Sequence, residues 1–277
     1  MPHQAQNFAT RDGTEIFYQA WLPDAAPKAA IQIVHGLGEH GGRYRNYVDY
    51  FVPRGYALHA ADTRGHGRSG GPRGHAPSYD ALMDDIGAFL ARVRAEQSNR
   101  KVVLLGHSLG GNLALNFALR RPEGLSAVIA TGPWLQLPKA PSAPLLALAN
   151  VLARLAPAFA ISNQLDAEGV SRDPAVAASY KEDPLVHDRI SARMYVECAA
   201  AAAWALKHAG DLTLPALLLH GGDDRLTSVK GTRQFWKTAK EPQAEHREYA
   251  GMYHELHNDL GKEAVFKDIE AWLAGRL

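Results

Sequence analysis

The 277 residues carry 30 lysines and arginines against 29 aspartates and glutamates, a formal charge of +1, and 46% of them are hydrophobic. A chain so nearly neutral, without a basic run, gives no electrostatic reason to expect a nucleic-acid partner or a polybasic membrane anchor, so a small molecule is the expected partner. The single cysteine, Cys198, excludes an internal disulfide, and the hydrophobic content is ample for one sizeable core.

The polar stretch 1–12 lacks the apolar segment of a secretory signal, which makes the cytoplasm the expected compartment. Residues 14–22 read as an early antiparallel strand. The apolar runs 29–34 and 56–61 read as buried strands, and Ser78 as the N-cap of a helix reaching about Gln97. A β-branched strand at 101–105 and a helix at 112–121 follow. Between Gly132 and about Asp211, helical segments appear without intervening strands. Cys198 falls there in an alanine-rich helix, where it packs rather than reacts. An apolar strand at 215–220, a weaker and partly charged one at 245–249, and an amphipathic helix at 262–273 complete the chain. The alternation, without internal repeats, predicts an α/β fold with a mostly parallel sheet flanked by helices. One domain with an insertion fits the pattern. Residues 1–131 and 212–277 form the core, and 132–211 form a helical cap over the C-terminal edge of the sheet, where open α/β folds bind ligands.

Within the cap, Leu145, Leu148, Leu152, Leu155 and Phe159 fall on one helical stripe, with Asn150 and Arg154 opposite. The stripe packs on the core, or it also forms the mouth of an acyl tunnel or touches membrane lipid. Pro144, Asn150, Arg154 and Pro157 interrupt it too often for a membrane span. Asp183-Pro184-Leu185 reads as a turn.

Residues 106–111 read Gly-His-Ser-Leu-Gly-Gly between a strand and a helix, the setting of a nucleophile elbow. A serine hydroxyl is a poor nucleophile in water. The strand-turn-helix geometry exposes Ser108 Oγ and aims helix N-terminal N–H groups at the developing oxyanion. Gly106 and Gly110 remove side chains that would collide across so sharp a turn. The partners must follow in the order serine, acid, histidine. Asp223 and Asp224 follow the 215–220 strand, and His254 follows the 245–249 strand. In this mechanism His254 takes the proton from Ser108, while the acid fixes the tautomer and stabilises the imidazolium. The strand at 29–34 delivers His-Gly-Leu-Gly-Glu-His-Gly-Gly-Arg-Tyr (35–44), where the second oxyanion donor is needed. Leu37 would give one N–H and Leu109 the other.

Other strings carry less. Gly36-x-Gly38-x-x-Gly41, with Asp62 about twenty residues later, resembles a dinucleotide fingerprint. A nucleotide there would meet Glu39 at its pyrophosphate and leave the elbow, Asp224 and His254 unexplained. His254-Glu255-Leu256-His257 spaces its histidines three apart where the zinc motif needs four, so neither metal nor cofactor is expected. Arg64 and His66, in a glycine-rich loop, are expected to brace the elbow.

The 35–44 string, Asp62-x-Arg64-Gly65-His66-Gly67-x-Ser69, the elbow, Asp224-Arg225-Leu226 and Tyr253-His254-x-Leu256-His257 together resemble the monoacylglycerol lipase and lysophospholipase branch of the α/β-hydrolases, over almost the whole chain. The resemblance implies Ser108, Asp224 and His254 as a catalytic triad, with Leu37 and Leu109 as oxyanion donors. It favours Asp224 over Asp223 because the family's acid directly precedes the Arg-Leu pair. The chain departs from many relatives in carrying Leu109 in place of Met and in adding the second carboxylate of Asp223. The resemblance also implies that Glu39, Arg43 and His257 hydrogen-bond the glycerol hydroxyls, directly or through water. By position these three could converge on the leaving-group side of Ser108 if 254–257 is helical. Simple pairing of Glu39 with Arg43 near the surface is the alternative.

The expected activity is therefore hydrolysis of lipid carboxylic esters through an acyl-enzyme, with monoacylglycerol as leading substrate and fatty acid and glycerol as products. A lysophospholipase or a broad carboxylesterase would use the same triad. A ligand-binding protein on an inactive hydrolase scaffold is the rival of another class. Epoxide hydrolases and dehalogenases need a carboxylate where Ser108 stands.

Overall fold

The computed structural model describes residues 2–98, 100–239 and 242–277. In chain order the elements are β1 (His3–Ala9), β2 (Glu15–Trp21), β3 (Ala29–Val34), α1 (Arg45–Phe51), β4 (Tyr56–Ala61), α2 (Tyr79–Glu96), β5 (Val102–His107), α3 (Leu109–Arg120) and β6 (Ala127–Thr131). They continue with α4 (Ala143–Leu155), β7 (Ala160–Ser162), α5 (Pro174–Glu182), β8 (Arg189–Ser191), α6 (Ala192–His208), β9 (Ala216–Gly221), α7 (Val229–Ala239), β10 (Ala244–Tyr249) and α8 (Lys262–Ala274).

Eight strands form one sheet in the order β1-β2-β4-β3-β5-β6-β9-β10, an α/β-hydrolase arrangement. From β4 to β10 every neighbouring pair is parallel, whereas β2 runs antiparallel to both β1 and β4. Strands β3, β5, β6 and β9 are buried on both faces, which explains why they read as continuous apolar runs. Alternate residues serve opposite layers. Val103 and Leu105 join α1 and α8 through Phe51 and Phe266, while Val102 and Leu104 join α2, α3, α6 and α7 through Phe89, Leu113, Cys198 and Phe235. Ser78 caps α2, accepting the Ala81 N–H at 3.1 Å.

The two outer strands show weaker sequence patterns for a physical reason. β10 lies at one edge with much of its length half exposed, so its charged residues face water. β1 lies at the other edge and buries only Phe8. The apolar pattern assigns no strand there, nor to the five-residue β6.

Residues between β6 and β9 add nothing to the main sheet. β7 and β8 pair only with each other. Helix α6, inside the expected cap, instead lies in a core layer, with Met194, Cys198, Ala201 and Ala205 in the same apolar cluster as α2 and α3. Trp134, Leu135 and Ile190, also inside the expected cap, belong to that cluster as well.

The chain leaves β3 toward β4 on one side and returns to β5 on the other. This reversal opens a crevice at the carboxyl ends of β3 and β5, where open α/β sheets bind ligands.

Candidate active site

Ser108 sits between β5 and α3 with φ +54° and ψ −116°, a conformation a side-chain-bearing residue holds only when its surroundings impose it. Its carbonyl accepts the N–H groups of Asn112 (3.0 Å) and Trp134 (2.9 Å), and its own N–H reaches Thr131 O (3.0 Å). A Cβ on Gly106 would lie 2.1 Å from Gly110 O, and one on Gly110 would lie 1.9 Å from Val34 O. Only glycine permits that crossing of β5, α3 and β3. Leu109 is the first residue of α3, so no carbonyl one turn earlier in the helix takes its N–H. Leu37, just beyond β3, shares with Ser108 and His254 the lining of a cavity of about 310 Å³.

Asp224 Oδ2 stands 2.7 Å from His254 Nδ1. An ionised carboxylate only accepts, so Nδ1 carries the proton and Nε2 keeps its lone pair. The second oxygen of Asp224 is engaged as well: Oδ1 accepts the N–H groups of Leu226 (2.7 Å) and Thr227 (3.0 Å). Thr227 Oγ1 donates to Oδ2 at 2.9 Å, and His220 Nε2 lies 3.1 Å from it. Burial alone would raise the Asp224 carboxyl, but His254 and His220 hold it far below the usual carboxylate range. Burial likewise opposes the charging of His254, yet the Asp224 carboxylate raises its pKa above the ordinary value of 6.5. Asp223 is exposed and makes its bond to the His254 loop through its backbone N–H, to Met252 O.

The structure thus brings Ser108, His254, Asp224 and Leu37 to one place. It treats Glu39, Arg43 and His257 differently, and none of them lines the cavity. Residues 254–260 are bends and turns and not helix, so His257 does not follow His254 by a helical turn. It is fully buried, stacked 4.6 Å from the Tyr44 ring and 5.3 Å from Tyr47, and burial holds it neutral, with Arg43 and His254 adding to the effect. Glu39 Oε1 accepts the Gly36 N–H (2.5 Å) and the Tyr44 hydroxyl (2.8 Å), while Oε2 pairs with Arg43 Nε at 3.2 Å. Arg43 Nη2 in turn reaches both oxygens of Glu255, at 2.8 and 2.6 Å. Burial works against ionising Glu255, and the Arg43 guanidinium overcomes it. Glu39 and Arg43 do pair, as the alternative supposed, but in the interior and as part of a larger cluster.

Sequence reasoning missed the supports of the site. Asp259, fully buried, accepts the N–H groups of Tyr253 (2.7 Å), Arg172 (2.9 Å) and Leu260 (2.7 Å), which fixes the loop just ahead of His254. Of the missed residues, only His220 carried a local signal, as the last residue of the apolar run before the acid. Arg64 does not brace the elbow: it forks onto Asp85 of α2 (2.5 and 2.7 Å) and reaches Asp12 (2.7 Å). The His66 ring lies 4.7 Å from that of His187, tilted by 40° against it. The string that resembles a dinucleotide fingerprint is used internally, since Asp62 accepts the N–H groups of Gly41 (2.9 Å) and Arg68 (2.8 Å). Among the described residues, no group of three or more His, Cys, Asp or Glu is arranged to hold a metal ion.

A second, mostly apolar chamber of about 450 Å³ adjoins the first. The two share Leu137, Asn163, Gln164, Ile190 and Tyr195. Its far wall includes Leu145, Leu148 and Leu152 of α4, and Phe159. Leu145, Leu148, Leu152 and Phe159 of the stripe therefore line a cavity, α4 itself packs against α6, and Leu155, 80% exposed, leaves it for solvent. Among the described residues, no helix is long and apolar enough to cross a membrane.

The Hydrolase_4 family model, described as serine aminopeptidase, S33, matches residues 25–261. A monoacylglycerol lipase of Mycolicibacterium smegmatis is 34% identical over 98% of this chain and 97% of its own length. The human monoglyceride lipase is 29% identical, covering 100% of this chain and 91% of its own. Among solved structures, a monoacylglycerol lipase from Paleococcus ferrophilus superposes with a TM-score of 0.84 at 34% identity, over the full length of both chains. A soluble variant of the Saccharomyces cerevisiae monoglyceride lipase, with a substrate analogue, shares the fold at a TM-score of 0.87 and 24% identity, covering 99% of this chain and 94% of that one.

Proposed function

The chain belongs to the Hydrolase_4 family of serine hydrolases and has the α/β-hydrolase fold, and on that premise we propose that its lipid-ester substrate is monoacylglycerol, cleaved to fatty acid and glycerol. Ser108 Oγ attacks the ester carbonyl as His254 Nε2 takes its proton. The oxyanion accepts the N–H groups of Leu37 and Leu109. Collapse expels the glycerol oxygen, which takes from His254 the proton that came from Ser108. Water activated by the same nitrogen then attacks the acyl-serine, and the fatty acid leaves with Ser108 restored.

One observation carries this reading. The cavity shared by Ser108 and His254 adjoins an apolar chamber of about 450 Å³, lined by residues from Leu137 to Phe159, that would receive the acyl chain. Recognition of a peptide α-amine would call for a free carboxylate beside Ser108. Asp166, the one acid among the described lining residues, lies instead 3.7 Å from Arg225.

Two experiments test the proposal. Wild-type protein should be labelled by a fluorophosphonate and Ser108→Ala should not; an unlabelled wild type would point to an inactive scaffold. Across a panel of monoacylglycerols, lysophospholipids and simple esters, kcat/KM should be highest for a monoacylglycerol. A lysophospholipid at the head of the panel would replace the substrate proposed here.

The stretch 132–211, read from the sequence as a cap, includes the residues that line the second chamber. Leu148, Val151, Leu155 and Phe159 are each half exposed or more, and this apolar face is proposed to touch the lipid surface from which substrate arrives. Leu155→Asp should weaken partition onto phosphatidylcholine vesicles while leaving hydrolysis of a water-soluble short-chain ester unchanged. Equal partition of the two proteins would remove this contact.

A further inference from the structure

The oxyanion loop is gripped from the cap side. The chain after α5 crosses it so closely that a Cβ on Gly38, whose φ is +79°, would lie 2.3 Å from His187 O. At that crossing the His187 N–H donates to Gly38 O at 2.8 Å. The His187 ring extends the hold. Its Nδ1 accepts the Arg189 N–H (3.1 Å), which leaves Nε2–H to donate to Gly65 O (3.0 Å). A second tie lies a few residues earlier. His40 Nδ1 accepts the Gly42 N–H at 3.1 Å, so its Nε2 carries the proton and donates to Asp183 Oδ2 at 2.9 Å. Asp183 Oδ1 is occupied by the Leu185 N–H (2.9 Å), which fixes the carboxylate's orientation. Tyr180 completes the contact, its ring 4.6 Å from the Arg43 guanidinium.

Leu37 lies between Gly36, held by Glu39, and Gly38, held by His187. An oxyanion donor contributes only if it is fixed before charge develops. We propose that residues 183–187 act as a strap on the oxyanion loop, with Asp183 and His187 as positioning residues that set the Leu37 N–H toward the oxyanion at Ser108. The inference rests on the ester-hydrolase reading above. It assigns to the cap a role in the chemical step, separate from holding the acyl chain.

Asp183→Asn tests it with little change of shape. The amide oxygen must stay on the Leu185 N–H, so the amide nitrogen meets the Nε2–H of His40, donor against donor, and that tie is lost. Removing one oxyanion donor outright costs on the order of a hundred- to a thousand-fold in kcat, and loosening one should cost part of that, about 10-fold or more. With a soluble ester, kcat should fall about that much with KM nearly unchanged. Affinity for a boronic acid, which forms a tetrahedral anion on serine, should fall in parallel, while binding of the fatty acid product stays constant. His187→Ala, which keeps the backbone bond to Gly38 but loses the ring, should show the same split at smaller size. Glu182→Gln, exposed at the end of α5 just before the strap, serves as the unchanged control. If Asp183→Asn and His187→Ala both keep kcat and boronic-acid affinity within twofold, or lose product affinity equally, the strap does not position the donor. A wild type without Ser108-dependent hydrolysis of any ester would instead overturn the functional reading and the strap with it.

Discussion

Replacement of Asp224 by asparagine follows most directly from the hydrogen-bond count. Two backbone donors, Leu226 N and Thr227 N, point at Oδ1, and an amide can meet them only with its oxygen. The amide nitrogen must then occupy the Oδ2 position, 2.7 Å from His254 Nδ1. A donor there forces Nδ1 to accept, and the ring proton moves to Nε2, which can no longer take the proton of Ser108. The fold is left intact while the base is disabled. In serine proteases a change of this kind lowers kcat on the order of ten-thousand-fold, and the same scale is expected here at neutral pH. The wild-type acid limb of kcat/KM should also lie above pH 6.5, since the Asp224 carboxylate raises His254 and the base must be neutral to act. Steady-state hydrolysis of a soluble ester from pH 5 to 9 reads both effects, with circular dichroism as the check on folding. Asp223→Asn, at an exposed side chain, should stay within a few-fold of wild type. An Asp224→Asn enzyme within tenfold of wild type, or a larger loss at Asp223, would refute the reasoning.

Ser108→Ala should leave a folded protein whose kcat is down roughly a million-fold, by analogy with serine proteases, and substantial turnover by a clean preparation would remove the covalent mechanism. Glu39→Gln sets an amide nitrogen against the Arg43 guanidinium or takes an acceptor from Gly36, so it should lower stability and lower kcat/KM alike for a monoacylglycerol and the methyl ester of the same fatty acid. A loss confined to the monoacylglycerol would restore a direct glycerol contact. His59 is fully buried, neither ring nitrogen makes a hydrogen bond, Glu96 Oε2 stands 3.8 Å from Nδ1, and burial lowers its pKa to about 4. Because this lies below the unfolded value near 6.5, the unfolded chain binds the proton first as pH falls. The contribution is complete above pH 6.5 and about 3 kcal/mol is lost by pH 4. Urea midpoints should therefore drop between pH 7 and 5, and His59→Leu should drop less over the same range; identical drops would clear His59 of the effect.

Much of the protein was legible in its sequence because the information was local. The elbow is six consecutive residues whose glycines are dictated by a single turn, and the central strands declare themselves because burial on both faces demands unbroken apolar runs. The order of serine, acid and histidine along the chain likewise survives without coordinates, since each follows a strand that can be read on its own. Tertiary structure decided what depends on partners far away. Glu39 and Arg43 follow the oxyanion strand in sequence, a position from which they could face substrate, but Glu255, more than two hundred residues later, draws Arg43 inward and His257 is sealed among aromatic rings. The choice between Asp223 and Asp224 rests in the structure on which side chain is turned into the interior, and no spacing along one strand's end encodes that. Edge strand β1 is held by backbone pairing to β2 and buries one side chain, so its sequence had no apolar pattern to display. The strap from Asp183 to His187 meets the oxyanion loop about 150 residues from it in the chain, through backbone and histidine tautomers that only the folded geometry defines.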